Sequence, residues 1–185
     1  LLADKLTTEA AASDFILSRL NAPLVSIAMS LLHAGKRTRV AGRDIGAGLK
    51  VLVRKLKARS VPDFLTKVSV WESREVRRLN ALLAAAKNGR RATIEAKIEA
   101  VYDQAEMLTS LTDGARNVAE IDARIDALFV DDGLGDATVI TCSSIHRAKG
   151  LEADRVFVLA DTLRSNTQEE LNIQYVAYTR ARKTL

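Results

Sequence analysis

The sequence predicts an α/β fold: a parallel-sheet domain interrupted by an all-helical insertion. Three observations carry this. Short apolar runs bounded by polar residues fall near both ends, at residues 14–19, 37–40, 138–142 and 155–160. The middle, roughly residues 46 to 129, instead repeats its apolar residues at steps of three and four. The apolar content is 48% but aromatics make up only 4%, and an aliphatic core favours helices and α/β layers over an aromatic-rich β-sandwich. A chain of 185 residues has room for one domain with a large insertion or for two small ones.

Asp14 to Arg19 reads as a first strand. Asn21 is the expected side-chain cap of the helix that follows, with Pro23 in its first turn, where a missing N–H costs little. Leu24, Ile27, Ala28, Leu31 and Leu32 have helical spacing, and Gly35 ends the helix. Arg37 to Val40 is a second strand. Four amphipathic helices then follow, marked by Leu49, Leu52, Val53 and Leu56; by Phe64, Val68, Trp71 and Leu79; by Ile94, Ile98, Ala105 and Leu108; and by Val118, Ile121, Ile125 and Leu128. Asn88-Gly89 and Asp113-Gly114 separate them. Asp131 to Asp136 is a turn, after which the α/β texture returns: a strand at 138–142, a strand at 155–160 and a helix at 168–182. The divisions are therefore 1–45, 46–132 and 133–185.

The formal net charge is +5. Between Lys36 and Arg59 stand nine Lys/Arg and one acid, Asp44. That local field suits a phosphate backbone, and it equally suits a solvated basic face. The one cysteine, Cys142, excludes a disulfide framework or a thiolate metal cluster within the chain. A reducing cytoplasm is the expected location. No signal-peptide pattern and no apolar run of membrane-spanning length occurs. The chain opens at Leu1-Leu2 without Met, so a fragment of a longer polypeptide is expected.

Gly42 to Lys50 is glycine-rich and basic, but it breaks the phosphate-loop pattern: Ala47 stands where a glycine is needed, and Val51 follows Lys50. It fits a turn opening the next helix. His33 and His146 lack metal-ligand spacing, and His33 reads as structural. The segment after the third strand is richer. Ser144, His146, Lys149, Gly150 and Glu152 form a loop at a strand's C-terminal end, where ligands bind in open α/β sheets. Its cations and hydroxyl suit phosphate, Gly150 permits close approach or positive φ, and Glu152 can accept from a sugar hydroxyl. A solvated turn with a weak Lys–Glu surface pair fits the same residues.

His146-Arg147-Ala148-Lys149-Gly150-Leu151-Glu152, running into an apolar strand, resembles motif V of the UvrD/Rep/PcrA helicases. Gln174-Tyr175-Val176-Ala177-Tyr178-Thr179-Arg180-Ala181-Arg182 resembles their motif VI, about twenty residues on, with Gln168-Glu169-Glu170 as an acidic lead-in. Ser18-Arg19-Leu20-Asn21-Ala22 resembles the R-x-N-A segment opening the same domain. The resemblance covers residues 14–43 and 137–185; the helical middle agrees only in position and type.

The resemblance implies a RecA-like second motor domain, split into residues 1–45 and 133–185 around a reduced accessory subdomain. It implies an ATP-dependent DNA helicase or translocase moving 3′ to 5′. The partners would be single-stranded or duplex DNA and the first RecA-like motor domain of the same chain, with no membrane. ATP and Mg2+ would be held mainly by that first domain, since no Walker A or B sequence occurs here, and the isolated chain would be inactive. Arg180 would be the arginine finger; Glu152 and Gly150 would meet the nucleotide. Ser144, His146 and Lys149 would touch the DNA backbone, as would Arg19 and Asn21. Family members usually carry Thr where Ser144 stands, so that contact would be looser. Arg147 varies in the family and is assigned no role. The competing expectation is a non-catalytic nucleic-acid-binding or scaffold domain derived from such a motor. A protein-docking role for the helical insertion is compatible with either.

Overall fold

The computed structural model describes residues 2–130 and 137–185; the expected turn at 131–136, and with it the 132/133 division, lies outside them. A short helix α1 (Leu2–Glu9) precedes β1 (Phe15–Ser18), α2 (Ala22–His33) and β2 (Thr38–Ala41). Four helices follow: α3 (Arg43–Leu56), α4 (Val61–Ala85), α5 (Asn88–Ser110) and α6 (Val118–Leu128). Then come β3 (Phe129–Val130), β4 (Ile140–Ser144), β5 (Ala153–Val158), α7 (Gln168–Tyr178) and β6 (Ala181–Thr184). The strands form one sheet in the order β3-β2-β4-β1-β5-β6, and every pairing is parallel. This is the α/β architecture that the sequence predicts.

Side chains alternate between the two faces of the sheet. Ile16, Val40 and Cys142 join a large aliphatic cluster with α2 and with Leu49, Phe64, Val68, Trp71, Leu108 and Ile121 of the helical segment. Phe15, Leu17 and Val156 face the other way, into a smaller cluster closed by Ile145, Ala148, Ile173 and Ala177. The helical segment thus shares its core with the sheet. Burial of Cys142 pushes its thiol up to about 12, so it stays a neutral core residue.

Three local expectations need correction. Asn21 makes no side-chain capping bond and itself adopts helical angles. The orphan N–H groups at the start of α2 are taken by a residue 82 positions away: Asp103 of α5 accepts from the Asn21 and Ala22 amides at 3.0 and 2.7 Å. The strand placed at 138–142 begins at Ile140 instead, in the register that pairs Phe15 with Thr141 and Ser18 with Ser144. The helix placed at 168–182 stops at Tyr178. Thr179 and Arg180 both turn their side chains back onto the last carbonyls, those of Tyr175 and Val176. Ala181–Thr184 then pair with β5, so an open sheet edge overrides the helical propensity of Ala, Arg and Lys. Tyr175 of α7 is 70% exposed.

Candidate nucleotide and nucleic-acid interface

The segment between β4 and β5 begins where β4 ends beside β1. The Ser144 carbonyl accepts from the amides of Arg147 and Ala148, both at 3.0 Å, which winds residues 145–150 into a helical turn. The step of three then decides which side chains face water. Ile145 and Ala148 are buried in the smaller cluster, with Leu151 against it. His146 and Lys149, one position on from each, are exposed. Ser144 itself is buried. Gly150 closes the turn at φ +87° with no atom near a prospective Cβ, so its backbone angle rather than crowding calls for glycine. Arg147 ties the turn to the start of α3, with Nη2 2.5 Å from Asp44 Oδ2.

The turn then meets the corner between α7 and β6. Arg180 is held there at both ends: its carbonyl accepts from the Ala153 amide at 3.1 Å, and its Nη1 donates to the Leu151 carbonyl at 3.1 Å. Its Nε donates to the Val176 carbonyl and its Nη2 to the Thr179 hydroxyl. A guanidinium has five N–H groups, so two are left over. Glu152 is next to this corner, its side chain 53% exposed and its Oε2 4.0 Å from Arg182 Nε. An open cleft of about 530 Å³ runs beside them, lined by Phe15, Arg39, Thr141, Gly150, Glu152 and Arg182. Glu152, Gly150 and Arg180 are therefore neighbours, brought together from segments far apart in sequence.

Arg19 and Asn21 lie in different surroundings. Arg19 makes a forked pair with Glu170, Nε to Oε2 at 3.1 Å and Nη2 to Oε1 at 3.0 Å. That hydrogen bond raises the Arg19 pKa against the opposing effect of burial. Asn21 donates from Nδ2 to Asp103 Oδ2 at 2.9 Å, and its Oδ1 is buried without a partner. The adjoining groove, about 580 Å³, is lined by Glu95, Glu99, Glu106 and Glu169 besides Asp103 and Glu170. Sequence reasoning missed Asp103 and the partner of Glu170, because both contacts span more than 80 residues and leave no local pattern. Among the described residues no group of carboxylates, histidines or cysteines is arranged to hold a metal ion.

Comparison with known families bears on the C-terminal part. Residues 139–185 match the UvrD-like helicase C-terminal domain. The matched stretch is about a quarter of the chain and runs from β4 through the 145–152 turn, α7 and β6. It contains the segments at 146–152 and 174–182 but not Ser18 to Ala22, so residues 139–185 carry a UvrD-type helicase C-terminal sequence. No curated protein matches the chain significantly. No helix among the described residues is long and apolar enough to cross a membrane.

Proposed function

We propose that this chain is the second motor domain of an ATP-dependent DNA helicase or translocase, working 3′ to 5′ with a first RecA-like motor domain. In this reading residues 1–45 and 133–185 form the motor domain and residues 46–132 its accessory subdomain, with the protein acting in the cytoplasm. The observation that carries the reading is the clamp of Arg180 onto the Leu151 carbonyl at 3.1 Å, which joins the two helicase motifs at one corner.

The residues fit the nucleotide part of this role. Arg180 keeps two N–H groups to direct at a γ-phosphate, where a positive charge stabilises the bond as it breaks. The exposed carboxylate of Glu152 is free to accept from a ribose hydroxyl, and Gly150 leaves the backbone open to approach. The first domain would hold most of ATP and its Mg2+. His146 and Lys149 point outward on the same turn and would meet the DNA backbone, with buried Ser144 behind them. One turn would therefore touch DNA on its outer side and nucleotide at its end, a short physical route between hydrolysis and stepping.

ATP turnover by the chain alone, and by the chain joined to its first motor domain, tests the reading. Turnover is expected only in the joined protein, stimulated by single-stranded DNA, with unwinding of 3′-tailed duplexes. Turnover by the pure chain would overturn it. A joined protein that binds DNA and never hydrolyses ATP would point to the non-catalytic scaffold.

A further inference from the structure

We infer that Thr179 is the positioning residue of the Arg180 guanidinium: its hydroxyl, as an acceptor, aims the charge that Arg180 brings to the γ-phosphate. The inference rests on the motor reading above and adds a residue to it. Thr179 acts through Arg180 rather than on the nucleotide itself.

The backbone of Arg180 is already fixed. Its amide donates to the Ala177 carbonyl at 3.3 Å and its carbonyl accepts from the Ala153 amide at 3.1 Å. The corner between α7 and β6 therefore leaves only the side chain to be aimed. An arginine stem is long and rotates freely, so its fork keeps one orientation only where acceptors hold it. Three acceptors do so here. Nε donates to the Val176 carbonyl at 2.9 Å, Nη1 to the Leu151 carbonyl at 3.1 Å and Nη2 to Thr179 Oγ1 at 3.0 Å. Val176 and Leu151 contribute main-chain oxygens, which any residue at those positions would supply. The contribution of Thr179 depends on its side chain.

The hydroxyl suits that task. It has one proton to donate and two lone pairs. Thr179 Oγ1 lies 2.9 Å from the Tyr175 carbonyl and 3.1 Å from the Val176 carbonyl. Its proton is therefore engaged by the last turn of α7, and its lone pairs are left for Nη2. Back-bonding of a threonine to the preceding turn is an ordinary local contact. It does not account for the arginine N–H that converges on the same oxygen. The Val176 carbonyl receives both the Thr179 hydroxyl and Arg180 Nε, so hydroxyl, carbonyl and guanidinium close a ring at the end of α7. Thr179 and Arg180 are both half-buried, and hydrogen bonds strengthen where the surroundings are less polar than water.

Loss of the hydroxyl has a defined consequence. In T179V a methyl group replaces Oγ1 at nearly the same volume, and Nη2 faces it without an acceptor. The fork then hangs from two carbonyls and can swing. Misplacement of a reacting group by about 1 Å costs on the order of 10²-fold in rate. The charge of Arg180 matters as the bond breaks rather than as ATP binds, so the loss falls on kcat and spares KM.

The test uses the protein that holds both motor domains, with steady-state ATPase measured at saturating single-stranded DNA. T179V is expected to lower kcat about 10- to 100-fold, with KM for ATP within about twofold of the parent. T179S keeps the acceptor and should stay within about threefold of the parent kcat. Added to R180A, T179V should remove nothing further, because residues that act as a unit are not additive. A T179V loss that persists in full in the R180A background, or an equal loss in T179S, would overturn the assignment and leave Thr179 as a helix-end contact. Parental kcat in T179V beside a crippled R180A would defeat it too. Parental kcat in R180A is a different failure, since it removes the motor reading beneath the inference. The 185-residue chain gives a check that needs no turnover: by NMR, the Arg180 guanidinium protons should exchange with solvent about fivefold faster in T179V than in the parent or T179S. Equal exchange in all three would count against Thr179. T179A provides the same comparison if T179V does not fold.

Discussion

Two corners of the sheet carry residues that the helicase resemblance assigns to DNA, and they are built in opposite ways. At the β1–α2 corner, Arg19 is forked onto Glu170 and Asn21 is bonded to Asp103, beside a groove of carboxylates. On the turn after β4, His146 and Lys149 stand exposed over an apolar base formed by Ile145 and Ala148. A phosphate approaching the first corner must displace an existing charge partner and pass a field of like sign; at the second it replaces water. Residue type alone does not identify a phosphate ligand, because the same arginine can already be neutralised from within. The β1–α2 corner is an internal fastening, and under the proposed function the contact surface would lie on the turn.

The largest expected effect concerns Arg180, which is intermediate between these cases, with three N–H groups engaged internally and two left over. In the protein that holds both motor domains, Arg180→Ala should lower kcat by roughly 10³- to 10⁵-fold, with binding of single-stranded DNA retained. Steady-state ATPase assays check this, and unaffected turnover would place Arg180 with the internal fastenings. Asp103→Ala comes next. It leaves the Asn21 and Ala22 amides without their acceptor and should cost about 3 kcal/mol in urea unfolding. Arg19→Gln strands a buried Glu170 carboxylate and should cost about 2 kcal/mol, while changing single-stranded DNA affinity less than twofold. Lys149→Gln should show the reverse pattern: stability within about 0.5 kcal/mol of the parent, and a salt slope for single-stranded DNA reduced by roughly 0.7. If Arg19→Gln weakened DNA binding as much as Lys149→Gln, the distinction between the corners would collapse.

What the sequence revealed follows from the range of the interactions involved. Period-two and period-3.6 patterns depend on neighbours a few residues apart, and they locate β1, β2, α2 and the four central helices to within a few residues. The motif at 146–152 was legible as a helicase-like sequence because its residues lie in one short segment. Contacts across long separations were not legible. Nothing near Asn21 announces Asp103, and nothing near Glu170 announces Arg19, because each pairing exists only once the chain has folded. The end of α7 was misjudged for the same reason. Ala181 to Thr184 would extend a helix in isolation, and the free edge of β5, supplied by residues 153–158, draws them into the sheet.

The carboxylate of Asp103 has a further consequence. A side branch that merely decorates a scaffold could be trimmed or exchanged freely. Here the branch provides the lid for its host's helix α2, so host and branch are obliged to travel together. Swivelling of α4 and α5 would tug on the root of α2, and any shortened or grafted replacement would have to bring along an acceptor for those two amides.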